Sequence, residues 1–276
     1  MFTLNCRGKL IVIEKPAVMG IINTTPDSFF SESRAQNHTN ILGHAKKMID
    51  EGVDIIDIGG QSTRPGSKRI TADEELLRVI PAIEIILKKF PDTLISIDTY
   101  YSTVAAASVA AGAGMVNDIS AGSLDSAMLS TVAVLNVPYV CMHMKGTPES
   151  MQHEPPYENV IKEVLDFFIE KTAACKAAGI NDVIIDPGFG FGKTSTNNFR
   201  LLKNLGVFKL LDKPVLVGIS RKSTIYKTLN IVAEDALNGT TVLHTLALQN
   251  GANILRVHDV KEAKEAIVLY QKYIDA

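Results

Sequence analysis

Val53-Asp54-Ile55-Ile56-Asp57-Ile58 runs directly into Gly59-Gly60-Gln61-Ser62-Thr63-Arg64. A short, mostly apolar run thus delivers the chain to a polar, glycine-rich loop, as a buried strand does at its C-terminal end. Upstream, VMGII ends at Asn23; downstream, TLISI ends at Asp98, GMV at Asn117, VPYVCM at His143, DVII at Asp186, PVLVGI before Ser220 and ANILRV at His258. Amphipathic stretches of helical period lie between these eight runs, among them Asn40–Glu51, Asp73–Lys89, Ser102–Ala111, Glu158–Ala178, Glu234–Gln249 and Val260–Ile274. Thr71-Ala72-Asp73-Glu74 has the form of a capping box, and Gly52, Gly112, Gly179 and Gly251 stand where helices need a left-handed residue to stop. Eight strand-helix units predict an α/β fold, a single (β/α)8 TIM barrel, preceded by a β-hairpin over Phe2–Ile13. An open doubly wound sheet has the same alternation, but the even connections offer no switch point.

At 276 residues the chain suits one barrel, whose usual size is roughly 250 residues, so residues 1–276 are expected to form one domain. Hydrophobic residues are 46% of the chain, enough for a large core. The net charge of −2 provides no basic footprint for nucleic acid or an anionic membrane, which leaves small molecules or a second copy as partners. Cys6, Cys141 and Cys175 are too scattered for a disulfide framework or a zinc site. With no signal-type or membrane-spanning apolar stretch, a cytoplasmic location is expected.

In this fold the C-terminal ends of the strands form the active-site mouth. The residues expected to converge there are Asn23, the Gly59–Arg64 run, Asp98, Asn117, His143, Asp186, Ser220-Arg221-Lys222 and Arg256-x-His258. A carboxylate such as Asp186 can accept two adjacent N–H groups of an aminopyrimidinone ring, and Asn117 and Lys222 can serve its remaining polar atoms. Arg64, Arg256 and His258 are cationic candidates that, with the loop N–H groups, suit a phosphate or diphosphate. Asn23, ahead of Thr24-Thr25-Pro26-Asp27-Ser28, offers oxygen ligands for a hydrated Mg2+. The GFGFGKT stretch fails the Walker A spacing, since Pro187 occupies the first glycine position. Met142-His143-Met144 lacks partners for a soft metal site, and Ser220 and Ser223 have no evident base.

The motifs MGIINTTPDSF, DIIDIGGQSTRPG, SIDT, GMVNDISAG, MHMKGTPESMQ, DPGFGFGKT, GISRKS and RVHDVKE together resemble the dihydropteroate synthase family, over nearly the whole chain. The resemblance implies a transferase of folate biosynthesis that joins a pterinylmethyl diphosphate to 4-aminobenzoate. It implies that Asn23 binds Mg2+ and diphosphate, the latter with Thr63, Arg256 and His258. Asp98, Asn117, Met142, Asp186, Phe189, Lys222 and Arg256 would line the pterin site. Phe29, Thr63, Arg64, Pro65, Phe189 and Ser223 would meet 4-aminobenzoate. It also implies a homodimer and a sulfonamide target.

The chain departs from the family pattern where Phe30-Ser31-Glu32-Ser33 replaces a Ser-Asp-Gly-Gly turn, with Glu32 (or Ser31) in place of the usual loop aspartate, and where Gln61 replaces Glu. Glu32 is expected to pair with Arg64. The segments Thr24–Asn37 and Ser62–Ile70 have few apolar side chains and are expected to order around the anion. Two alternatives stay open at this point: a methyltetrahydrofolate methyltransferase-like protein, and a catalytically silent pterin-binding homologue.

Overall fold

The structure, a computed structural model, describes residues 1–24, 34–61, 69–146 and 156–276, with side chains of the first helix described from 39 onward. The chain opens with the expected hairpin, β1 (Phe2–Cys6) and β2 (Lys9–Ile13). Its two-residue turn puts Arg7 and Gly8 both at positive φ, the primed turn that matches strand twist. Eight parallel strands follow: β3 (Ala17–Asn23), β4 (Ile55–Gly59), β5 (Ile95–Asp98), β6 (Met115–Asp118), β7 (Tyr139–Met142), β8 (Val183–Asp186), β9 (Leu216–Val217) and β10 (Ile254–Val257). Their order is β8-β7-β6-β5-β4-β3-β10-β9, and a parallel bridge from Ile185 to Val215 joins the two ends. The sheet closes into the expected barrel.

The helices are α1 (Arg34–Asp50), α2 (Ala72–Lys89), α3 (Ser102–Ala110), α4 (Met128–Leu135), α5 (Val160–Ala178), α6 (Ser195–Lys203), α7 (Ser223–Leu229), α8 (Leu237–Gln249) and α9 (Val260–Ile274). Thr71 and Glu74 form the reciprocal capping box at α2, and Gly52, Gly112, Gly179 and Gly251 all take positive φ. α4, α6 and α7, outside the stretches singled out by their periodicity, span only 8, 9 and 7 residues, about two turns each. α1 begins six positions before the expected Asn40, and Glu234 belongs to a 3-10 turn (Ala233–Asp235) ahead of α8.

Side chains alternate along each strand. Ile56, Ile58, Ile97, Val116, Cys141, Ile185, Val217 and Leu255 face outward into one core with the helices. Met19, Ile55, Met115, Val140, Ile184, Leu216 and Ile254 face inward and pack with Leu4, Cys6 and Ile13 of the hairpin, which seals the N-terminal end of the barrel. Two residues further along each strand, the inward positions are Ile21, Asp57, Asn117, Met142, Asp186, Gly218 and Arg256. The barrel interior therefore changes from apolar to polar one layer up. Among the described residues no helix is long and apolar enough to cross a membrane.

Candidate active site

The polar layer is tied together across the barrel. Arg256 Nε donates to Asp57 Oδ2 at 2.7 Å, and Arg256 Nη2 donates to Asp98 Oδ2 at 2.6 Å. Asn117 Nδ2 donates to the same Asp57 oxygen at 3.0 Å. Residues from β4, β5, β6 and β10 are thus locked into one network, and all of them occupy inward positions. Burial works against the charge on Arg256, but Asp57 and Asp98 outweigh it and raise its pKa, so the guanidinium stays a cation. Burial pushes the Asp98 carboxyl up, with Arg256 opposing. Asp57 was not among the sequence-level candidates, although its place two residues after inward Ile55 marks it by alternation.

Asp186 ends β8, and its Oδ1 accepts the Gly188 N–H at 2.7 Å, leaving Oδ2 free of described partners. Burial raises its pKa, and Lys222 is the largest opposing influence. Lys222 lies just before α7; burial pushes its ammonium down to about 8, and it donates to the Phe189 carbonyl at 2.6 Å. A methyl group at Gly218 would lie 3.8 Å from Lys222 Nζ, 3.9 Å from Asp186 Oδ2 and 3.9 Å from Arg256 Cβ. The missing side chain of Gly218 leaves a space bounded by the Asp186 carboxylate, the Lys222 ammonium and the aliphatic base of Arg256. Around Gly59, Asn23 Oδ1 and Asp98 Oδ2 approach in the same way, 3.8 and 3.6 Å from a methyl built there.

The loop after Asp186 is shaped by Lys193, whose buried Nζ donates to the carbonyls of His143, Gly188 and Phe191 at 3.2, 2.9 and 3.1 Å. Gly188 has φ +68, and a Cβ there would fall 1.9 Å from the His143 carbonyl oxygen, so only glycine fits. The lysine of GFGFGKT is therefore a backbone clamp.

Several expectations change in the structure. Phe189 has a fully buried ring in the main core and offers only its carbonyl to the site; a ring so placed meets no ligand without moving. Phe191 is the aromatic at the mouth, with Lys222 Nζ 4.7 Å from its ring centre, beside a cluster that includes Tyr100, Ile119 and Met142. His143 does not join the mouth, since its ring is buried edge-on against Phe167, 4.8 Å between centres. Arg221 also turns away, held by both oxygens of Asp259 at 2.8 and 2.9 Å. Ser220 does have a basic neighbour, His258 Nδ1 at 3.1 Å, because β9 and β10 are adjacent. Desolvation of the ring and the nearby Arg256 lower the His258 pKa from its ordinary value, which favours the neutral imidazole. Ser223 opens α7 beside Lys222. Phe29, Ser31, Glu32, Thr63, Arg64 and Pro65 lie outside the described residues.

Among the described residues no group of three or more His, Cys, Asp or Glu could hold a metal. Asn23 supplies one neutral oxygen beside the Asp98 carboxylate, a donor set suited to a hard ion that keeps waters and takes its other ligands from substrate phosphates.

The family model for pterin binding enzymes matches residues 19–258. The dihydropteroate synthase of Escherichia coli (strain K12) is 42% identical over 275 residues, covering 99% of this chain and 97% of that protein. The structure of Xanthomonas albilineans dihydropteroate synthase with 4-aminobenzoic acid superposes with a TM-score of 0.91 at 40% identity, covering 99% of this chain and 98% of the other. The same enzyme in complex with 7,8-dihydropteroate superposes with a TM-score of 0.89 at 38% identity, covering 99% of each chain. By full-length similarity, by fold and by the match of the family model, the chain belongs to the pterin-binding enzyme family and, within it, to the dihydropteroate synthases.

Proposed function

We propose that the barrel mouth binds (7,8-dihydropterin-6-yl)methyl diphosphate and joins its exocyclic CH2 to the amine of 4-aminobenzoate, releasing diphosphate and 7,8-dihydropteroate. The observation that carries this reading is the space over Gly218, bounded by Asp186, Lys222 and Arg256. Relatives of the same length bound to 4-aminobenzoic acid and to 7,8-dihydropteroate support it.

In this proposal Asp186 accepts the paired N–H groups of the pterin's aminopyrimidinone edge, Asn117 meets the ring through its amide oxygen, and Lys222 donates to the ring's acceptors. Met142 lies against the ring, and Asp98 borders it through the carboxylate that holds Arg256. Arg256 spends one N–H on Asp57 and one on Asp98, which leaves the rest of the guanidinium for the diphosphate. Asn23, Thr63 and His258 complete that anion site. Thr63, Arg64, Pro65, Phe29 and Ser223 line the approach of 4-aminobenzoate, a role for which the structure favours Phe191 over Phe189.

As the aniline nitrogen forms the new C–N bond, the C–O bond to diphosphate breaks and its electron pair leaves with the oxygen; the alkylated nitrogen, now strongly acidic, then gives its extra proton to water. An aniline nitrogen carries a free lone pair at neutral pH, so the reaction calls for no strong base. Arg256 and His258 stabilise the charge that grows on the departing diphosphate. Bound at Asn23, Mg2+ would add Lewis-acid stabilisation of that leaving group.

The exposed apolar residues Val242 and Leu246 on α8 and Val268, Leu269 and Tyr273 on α9, two helices packed against each other, support a homodimer. Three free, buried cysteines support a cytoplasmic setting. Purified protein given both substrates and Mg2+ should form dihydropteroate and diphosphate in equal amounts, measured by chromatography and phosphate release. Pterin binding without diphosphate release would identify a silent homologue instead.

A further inference from the structure

Ser220 follows β9 with its side chain buried, and its Oγ has two polar neighbours among the described residues, both on His258. The backbone N–H of His258 donates to Oγ at 3.3 Å, and Nδ1 of the ring lies 3.1 Å from the same oxygen. A hydroxyl carries one proton and two lone pairs. If the ring proton sat on Nδ1, Oγ would receive two donors and its own proton would be buried without an acceptor, an arrangement folded proteins avoid. The other tautomer satisfies every group: the backbone N–H donates to Oγ, Oγ–H donates to Nδ1, and the ring proton stays on Nε2.

We infer that Ser220 is a positioning residue that fixes His258 as the Nε2–H tautomer, so that the ring meets the departing diphosphate as a neutral hydrogen-bond donor. The charges around the ring agree with this assignment. Arg256, Arg221 and Lys222 all disfavour a protonated imidazole, and Asp259, a carboxylate that favours it, already binds Arg221 through both oxygens. A neutral donor holds the anion through a directed bond without adding full Coulombic attraction, and so eases product release. The consequence for diphosphate rests on the function proposed above, whereas the tautomer is a property of the free enzyme.

Nitrogen-15 labelled enzyme, examined at pH 7 by long-range proton–nitrogen spectra, tests the assignment, with the His258 signals identified by their loss in His258→Gln. Wild type and Ser220→Thr, which keeps the hydroxyl, should show a protonated Nε2 and a bare Nδ1. In Ser220→Ala the two nitrogens should shift toward an average of tautomers. Calorimetric affinity for Mg2+-diphosphate should fall about threefold to tenfold, the usual effect of one lost neutral hydrogen bond. A protonated Nδ1 in wild type, or a Ser220→Ala spectrum identical to wild type, overturns the inference. If the tautomer responds as expected but no form binds diphosphate, the role of Ser220 stands and the diphosphate site is wrong.

Discussion

Asp57 holds Arg256 through a 2.7 Å bond between residues 199 positions apart, and the same carboxylate oxygen takes the amide of Asn117 at 3.0 Å. A fully buried carboxylate at the centre of the network sets where the guanidinium points. Asp57→Asn keeps the shape but removes the charge and places an NH2 among donors. Because charge-assisted hydrogen bonds contribute about 1.5–3 kcal/mol, kcat/KM should fall about 10- to 100-fold. A steady-state loss of less than about twofold would show that Asp57 does not orient Arg256.

Asp186→Asn tests the pterin contact itself. The amide keeps one acceptor oxygen and turns an NH2 donor against the donor edge of the ring, so pterin binding should be severely weakened. Titration calorimetry reads this directly; an affinity within about threefold of wild type, under 1 kcal/mol, contradicts the assignment.

Glu75 on α2 is fully buried, and burial raises its carboxyl to about 8, with Thr99 donating to Oε2 at 2.9 Å. Below its ordinary carboxyl range the group is protonated both folded and unfolded. Between there and pH 8 the folded protein keeps a proton that the unfolded chain releases, so stability falls as pH rises, by up to roughly 1.4 kcal/mol per pH unit. Glu75→Gln mimics the protonated acid and should flatten that slope and stabilise the protein at pH 8. Urea unfolding at pH 5 and pH 8 checks this; an unchanged pH slope in the variant would mean that another group sets it.

The composition of the segments Thr24–Asn37 and Ser62–Ile70 leads to an order of binding. Asn23, Thr63 and Arg64 are the groups expected to meet the anion, while Phe29 and Pro65 are expected at the amine site. Mg2+-diphosphate should therefore assemble the 4-aminobenzoate pocket. By calorimetry, affinity for 4-aminobenzoate should be weak or absent with enzyme alone and appear once Mg2+ and diphosphate are added. Equal affinity in both conditions would mean that the pocket is preformed.

The barrel was legible because each strand run ends in a polar residue and hands over to a helix. Asn23, Asp98, Asn117 and Asp186 were found because they stand at those ends. Asp57 was missed because it lies inside its run, where only the two-residue alternation from Ile55 shows that it points inward. The position of His143 at the end of its run points to the mouth, yet the residue falls one place past the inward Met142 and turns to Phe167. Phe189 and Phe191 cannot be told apart by composition. Lys193 fixes the loop through the carbonyls of Gly188 and Phe191, on either side of Phe189, and which ring faces the core is a tertiary fact.

Gly218→Ala tests most directly whether the pterin occupies the space between Asp186, Lys222 and Arg256. In the free protein the added methyl would rest at ordinary contact distances of 3.8–3.9 Å from all three, so folding should be undisturbed, with Tm within about 2 °C of wild type. The same methyl would stand where the pterin ring must lie. Calorimetric pterin binding and dihydropteroate formation should both be lost in a folded enzyme. A folded Gly218→Ala variant that binds pterin as tightly as wild type would contradict this placement and move the pterin site elsewhere.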